Sequence, residues 1–354
     1  MKINVTKILE EIVMMHASDL HLSVSSSPFI RVEGALKPLS DIEPLTVDDL
    51  EYSLSQLMDE QQREIFDINK ELDFSVALGA KARVRVNAFF QKGYPAVAMR
   101  IIPMVVPKLQ TLNLPESIGL MCNLKQGLIL VVGPTGHGKS TTIASMIDKI
   151  NEERSEHIVT VEDPIEYIFT NKKSLIAQRE MYLDTHSWEV ALKSVLRQDP
   201  NVVMVGEMRD AETMSAALQI SETGHLVFAT LHTNSAAQTI DRIISSFPEE
   251  KQSEIRLQLA SVVEVVISQR LLPGRDGALI PAVELMLGSE AVRSLVREGK
   301  THMIDNVINT SAQAGMISLD KSLADLVNKG LVNFEEAVKY TSDPETLKRL
   351  TKRG

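Results

Sequence analysis

Apolar residues recur at helical spacing at Val5, Ile8, Leu9, Ile12 and Val13, one stripe on an otherwise polar segment, which predicts a helix over 5–15. SDLHLSV and PFIRVEGALKPL then read as short strands broken by turn residues. A second helix is expected over about 46–65, opening at Thr46 with acidic residues in its first turn, where the helix dipole favours them. ELDFSVAL, KARVRVNAFF and PAVAMRII follow with strand-like alternation, the last two joined through QKGY. In KARVRVNAFF the alternation sets Arg83 and Arg85 on one face and Val84 and Val86 on the other. The first hundred residues thus predict a small α+β domain.

Pro103, Pro107 and Pro115 punctuate the next stretch, which places a linker at 103–115 between a domain of residues 1–102 and one of residues 116–354. Beyond it the pattern changes. GLILVV, HIVTVE, NVVMVG and HLVFATL are short, nearly continuous apolar runs, as expected of parallel strands covered on both faces. Helical patterns over 139–153, 187–198 and 211–223 separate them, and the alternation predicts a doubly wound α/β core. From about residue 252 onward the chain reads as mostly helical, ending in a basic LKRLTKRG segment.

Composition fits two folded domains: 354 residues, 44% of them apolar. No apolar run approaches the roughly 20 residues that cross a bilayer. Acidic residues interrupt the N-terminal apolar positions, unlike a signal peptide, so a cytosolic protein is expected. A single cysteine, Cys122, excludes an internal disulfide and a multi-cysteine zinc site. The net charge of −10 argues against a general nucleic-acid binder, which needs a basic footprint. The charge is uneven, however. Between Lys81 and Pro115 stand six basic residues and no acidic one, either a solvated hairpin face or a local anion-facing surface.

The chemistry concentrates in four places. GPTGHGKS, from Gly133 through Pro134, Thr135, Gly136, His137, Gly138 and Lys139 to Ser140, matches the phosphate-loop pattern, directly after a strand and opening a helix that continues with Thr141. Its glycines let backbone N–H groups wrap a β-phosphate, Lys139 reaches the β and γ oxygens, and the Ser140 hydroxyl can ligate Mg²⁺. At the end of the next strand VTVEDPIEY carries Glu162, Asp163 and Glu166, either a turn before Pro164 or a carboxylate that polarises water. VVMVGEMRD ends a third strand with Gly206 where an aspartate is usual, and offers Glu207 as the carboxylate facing an attacking water. ETGHLVFATLHT holds His225 and His232 at opposite ends of one strand, structural residues or γ-phosphate sensors.

Taken together, the phosphate loop, VEDPIEY, LRQDPNVVMVGEMRD, TGHLVFATLHTNSAAQTIDRI and the N-terminal MHASDLHLS resemble, in order and spacing, the secretion and pilus ATPases of the type II/type IV superfamily. The resemblance covers nearly the whole chain. AVRSLVRE, Ala291 to Glu298, is similar to a motif of the pilus-retraction members, and a lone cysteine cannot build the tetracysteine zinc motif usual in extension and secretion members.

The resemblance implies a PAS-like N-terminal domain, a RecA-like P-loop core with C-terminal helices, and a homohexamer with ATP and Mg²⁺ in subunit clefts. It implies work at the inner face of the cytoplasmic membrane on a pilus platform protein, beside a paralogous motor, and no nucleic-acid partner. Glu207 then corresponds to the catalytic carboxylate, Glu162 to a water-assisting glutamate, and His225 and His232 to the histidine positions. Arg83, Arg85 and Arg100 correspond to N-domain arginines that approach a neighbouring nucleotide. His137 departs from the serine common in this loop, and Asn201 from the aspartate that usually follows Pro200. A RecA-like nucleic-acid translocase is the competing class, disfavoured by the acidic balance and by aromatic residues at only 4%.

Overall fold

A computed structural model describes residues 3–15, 17–32, 34–79, 82–102, 105–341 and 343–351. His16, Lys81, Pro103 and Lys352 to Gly354, which belong to segments read above, lie outside the described residues. The chain divides into two units, residues 1–105 with 166–168, and residues 106–165 with 169–354.

In the first unit α1 (Val5–Met14) buries its predicted stripe, Val5, Ile8, Leu9 and Ile12. The single helix expected over 46–65 is instead two, α2 (Val47–Leu57) and α3 (Glu60–Asn69). Thr46 and Asp49 form a capping box at the first, and Asp59 with Gln62 forms another that starts the second after an extended Met58. Strands β1 (Asp19–Ser23), β2 (Phe29–Val32), β3 (Ala35–Pro38), β4 (Glu71–Leu78), β5 (Ala82–Gln91) and β6 (Tyr94–Ile102) form one antiparallel sheet, ordered β3-β2-β1-β6-β5-β4. Along β5, Ala82, Val84, Val86 and Ala88 are buried, so Arg83 and Arg85 do share the opposite face.

The second unit opens with residues 106–126, where Leu109 and Ile118, the latter on α4 (Glu116–Met121), pack with Cys122 into a core cluster. Burial pushes the Cys122 thiol up to about 12, as befits a small packing residue. The sheet then builds from β7 (Gly127–Val132), β8 (His157–Glu162), β9 (Leu175–Glu180), β10 (Val202–Val205), β11 (Leu226–Leu231), β12 (Val263–Pro273) and β13 (Leu279–Leu287). Its order is β13-β12-β7-β11-β10-β8-β9, and every pair is parallel except β12 with β13. Helices α5 (Lys139–Glu153), α6 (Trp188–Val195), α7 (Ala211–Glu222), α8 (Ala236–Ser245) and α9 (Glu249–Val262) join the strands. After the sheet come α10 (Glu290–Glu298), α11 (Ile304–Thr310), α12 (Leu319–Asn328), α13 (Phe334–Val338) and α14 (Pro344–Leu350).

The predicted α/β core and its four apolar strands are therefore present, but the reading of residues 252 onward as mostly helical needs correction. VEVVISQRLLP and LIPAVELML are the longest strands of this sheet, buried on both faces. Continuous apolar runs carry no period to tell a covered strand from a buried helix, and the helical patterns on either side biased the reading. The edge strand β9, LIAQRE, lacked even an apolar run.

Candidate active site

The phosphate loop leaves β7, an inner strand between β12 and β11, and runs into α5, and β12 determines how tightly it can turn. A Cβ on Gly133, whose φ is +146°, would stand 2.4 Å from the Gln269 carbonyl oxygen. Only glycine fits both that backbone angle and that approach. Lys139 is the first residue of α5 and is 7% exposed; its ammonium donates to the carbonyl oxygens of Gly133 and Pro134, each at 2.9 Å. Ser140 and Thr141 follow in the first turn of α5, at the helix N-terminus where anions bind. Thr135 and Gly136 form the exposed tip of the loop.

His232 connects this loop to the carboxylate on the neighbouring strand end. It stands just past β11, its Nδ1 3.3 Å from Thr135 Oγ1 and 3.4 Å from Lys139 Nζ, its Nε2 3.1 Å from Glu207 Oε1. An ammonium only donates, so Nδ1 accepts, and the ring proton on Nε2 donates to Glu207. Glu207 also accepts from Arg209 Nε at 2.8 Å, and this bond holds the guanidinium protonated even more firmly than usual. Arg209 Nη1 lies 3.6 Å from Asp163, so the strand ends of β8, β10 and β11 are joined by one run of charges.

Gly206 has a steric reason. A Cβ there would come within 3.2 Å of Glu162 Cα and of the Val161 carbonyl oxygen, which accepts from Gly206 N at 2.8 Å. Thr230 Oγ1 donates to the Gly206 carbonyl at 2.6 Å. Replacing the usual aspartate by glycine thus lets β10 close against β8 and sends the next residue, Glu207, toward His232.

Two expectations are met differently. Glu162 sits at the predicted strand end, 5% exposed, but its Oε1 accepts from Thr160 at 2.7 Å and from Gln178 of β9 at 3.2 Å. His225 does not join the site. The six-residue strand β11 separates it from His232 by about 20 Å. Its Nδ1 lies 3.0 Å from both the Ile220 carbonyl and Thr223 Oγ1, so within this chain it closes the turn after α7.

The three arginines lie on the open face of the other unit's sheet, where Arg85 and Arg100 are cross-strand partners. Arg83 donates to Ser75 Oγ at 2.9 Å, Arg85 is 3.8 Å from Asp73, and Arg100 donates to Asp19 at 2.9 Å. Burial opposes ionisation of Asp19, yet hydrogen bonds from Ser18 and Arg100 and the nearby guanidinium charges hold its carboxyl below the ordinary range.

Gln269, Thr142, Thr160 and Gln178 escaped sequence reading. For Gln269 one signal existed, a polar residue inside the apolar run VVISQRLL.

A phosphate loop on an inner strand of a mostly parallel sheet, with a lysine, a histidine and a carboxylate in hydrogen-bonded sequence at the strand ends, defines a P-loop nucleotide hydrolase. The chain belongs to the family described as Type II/IV secretion system protein, which matches residues 1–338. It is 42% identical over 342 residues to the type IV pilus retraction ATPase PilT of Pseudomonas aeruginosa, covering 97% of this chain and 99% of that protein. A twitching motility protein of Neisseria gonorrhoeae is also 42% identical, over 91% of this chain and 86% of the relative. The crystal structure of the pilus retraction motor PilT with bound ADP superposes with a TM-score of 0.92 at 42% identity, covering 98% of this chain and 99% of that one.

Proposed function

We propose that the protein is an ATP-hydrolysing motor that powers retraction of type IV pili, and with it twitching motility. The Thr135–Lys139–His232–Glu207 sequence of contacts carries the catalytic reading, because it links the groups that hold a terminal phosphate to the carboxylate that handles its water. Near full-length likeness to proteins named for retraction and twitching supports the biological role.

In this reading the loop N–H groups and Lys139 bind the ATP phosphates, Glu207 orients and deprotonates the attacking water, and His232 reports the state of the γ-phosphate to Glu207. Buried Glu162 supports the water through its neighbours on β8 and β9. Among the described residues no group of three or more His, Cys, Asp or Glu forms a metal cage. Mg²⁺ needs few protein oxygens, and Ser140 Oγ, in the first turn of α5, would hold it together with the phosphates. Bound there, it supplies charge neutralisation on the transferred phosphoryl group.

Residues 116–354 serve as the motor core and residues 1–102 as a domain whose Arg83, Arg85 and Arg100 face the nucleotide of the next subunit in a homohexamer. No helix among the described residues is long and apolar enough to cross a membrane. The motor's partner at the cytoplasmic face of the inner membrane is a pilus platform protein. A paralogous motor is a further partner. Deleting the gene tests the role: surplus surface pili with lost twitching are expected, and bald cells would reassign the motor to pilus assembly.

A further inference from the structure

Beyond Ser268, the last residue paired with β7, strand β12 runs on past the end of its parallel neighbour. Its side chains and backbone there meet the phosphate loop. Gln269 is 3% exposed and bridges two points of the loop region: its Oε1 accepts from Thr142 Oγ1 at 2.7 Å and its Nε2 donates to the His137 carbonyl at 2.8 Å. Leu271, whose cross-strand partner on β13 is Pro281, donates its backbone N–H at 2.9 Å to Nδ1 of His137. A backbone donor accepts nothing, so Nδ1 must carry a lone pair and the ring must be neutral with its proton on Nε2. The fit is close, since a Cβ on Gly138 would stand 2.9 Å from Gln269 Nε2.

We propose that His137 is a positioning residue of the phosphate loop: its neutral ring, with Gln269, clamps the tip-to-helix segment 137–142 onto β12, and protonating the ring releases the clamp and weakens nucleotide binding. The inference rests on the reading of this loop as the nucleotide site and assigns a role to the residue that departs from the common serine.

The charged groups around the ring favour its neutral form. Burial, then Arg270 of β12, then Lys139 of the loop lower its affinity for a proton below the ordinary histidine value. Arg270 is itself anchored to Asn234, by Nη2 to its carbonyl at 3.1 Å and to its Oδ1 at 2.9 Å, which fixes a cation beside the ring. Because the folded ring binds a proton less readily than the unfolded one, the clamp is complete above the ordinary histidine range and is lost as pH falls through and below it.

The test measures ATP binding by the full chain between about pH 8 and pH 5.5, with ¹⁵N spectra of the imidazoles. His137→Ala should weaken binding about threefold to tenfold at the alkaline end, the worth of one backbone hydrogen bond. His137→Asn, whose Oδ1 can accept from Leu271 without titrating, should recover most of that loss. The native chain alone should show an additional acid-dependent loss, and comparing chains cancels the titration of ATP itself. His137 should show an unprotonated Nδ1 and a protonated Nε2 at neutral pH. A native pH profile shared by both variants, or the opposite tautomer, overturns the clamp while leaving the nucleotide site intact. Failure of the native chain to bind ATP at any pH overturns the site reading and the clamp together.

Discussion

The two sheets handle charge in opposite ways. The antiparallel sheet of the first unit spreads Arg31, Arg85 and Arg100 across one face, where strands alternate buried and half-buried positions and two of the guanidinium groups gather on the buried Asp19 carboxylate. In the second unit β7, β10 and β11 are buried along their whole length, and the polar groups proposed to act on the nucleotide, Lys139, Glu162, Glu207 and His232, collect where strands stop. A parallel sheet covered by helices has no open face to carry charge, so reactivity is confined to its ends. There a single group counts for much, because its partners are few and partly shielded from water.

The largest effect should come from Glu207→Gln, which keeps the size of the side chain and removes its basicity. ATP turnover should fall roughly a hundredfold to ten-thousandfold while ATP binding persists, as read from steady-state hydrolysis beside equilibrium binding. Unchanged turnover would place the essential charge elsewhere and break the comparison.

Glu284 of β13 is the next sharpest contrast. It caps α8 through Ala236 N at 2.7 Å, and burial raises it from an ordinary 4.5 to about 7. The folded carboxyl keeps a proton that the unfolded chain releases, so its stabilising contribution is full below about pH 4.5 and is lost as pH rises to about 7. Glu284→Gln should flatten that part of the stability–pH curve by roughly 3 kcal/mol, measured by chemical denaturation at a series of pH values.

Gly206→Ala should destabilise the second unit by about 1–3 kcal/mol, because the added methyl meets backbone rather than a flexible side chain. A thermal midpoint equal to that of the native chain would show that β10 and β8 can part without cost. Arg100→Ala is expected to cost the least in stability, about 1 kcal/mol, since the Arg100 side chain is mostly exposed and the buried Asp19 carboxylate keeps Ser18 and Arg31 as partners. That contribution should vanish as pH falls below the ordinary carboxylate range and Asp19 takes up its proton. A much larger loss would mean that the open face is as demanding as the strand ends.

Legibility in the sequence followed the same division. GLILVV and HIVTVE announce β7 and β8 to the residue, because short apolar runs between helical patterns have few other uses. The phosphate loop was equally plain, its spacing dictated by phosphate geometry. The split at Asp59 was not, since its capping box competes with a helical pattern that continues past it. Nor was the contact of His232 with Glu207, which depends on β10 and β11 lying side by side rather than on residue type.

The sequence by itself determined the alternation of strands and helices, the phosphate loop with Lys139 and Ser140, and the carboxylate at residue 207, because each follows from local pattern or from a motif of fixed spacing. Only the tertiary structure decided that β12 and β13 extend the sheet and that His232 meets Glu207. It also decided that Gly206 makes room for β8 and that Gln269 and His137 tie the loop to β12. Those facts depend on which strands lie side by side and how far each runs past its neighbour, distances in space that the order of residues along the chain does not contain.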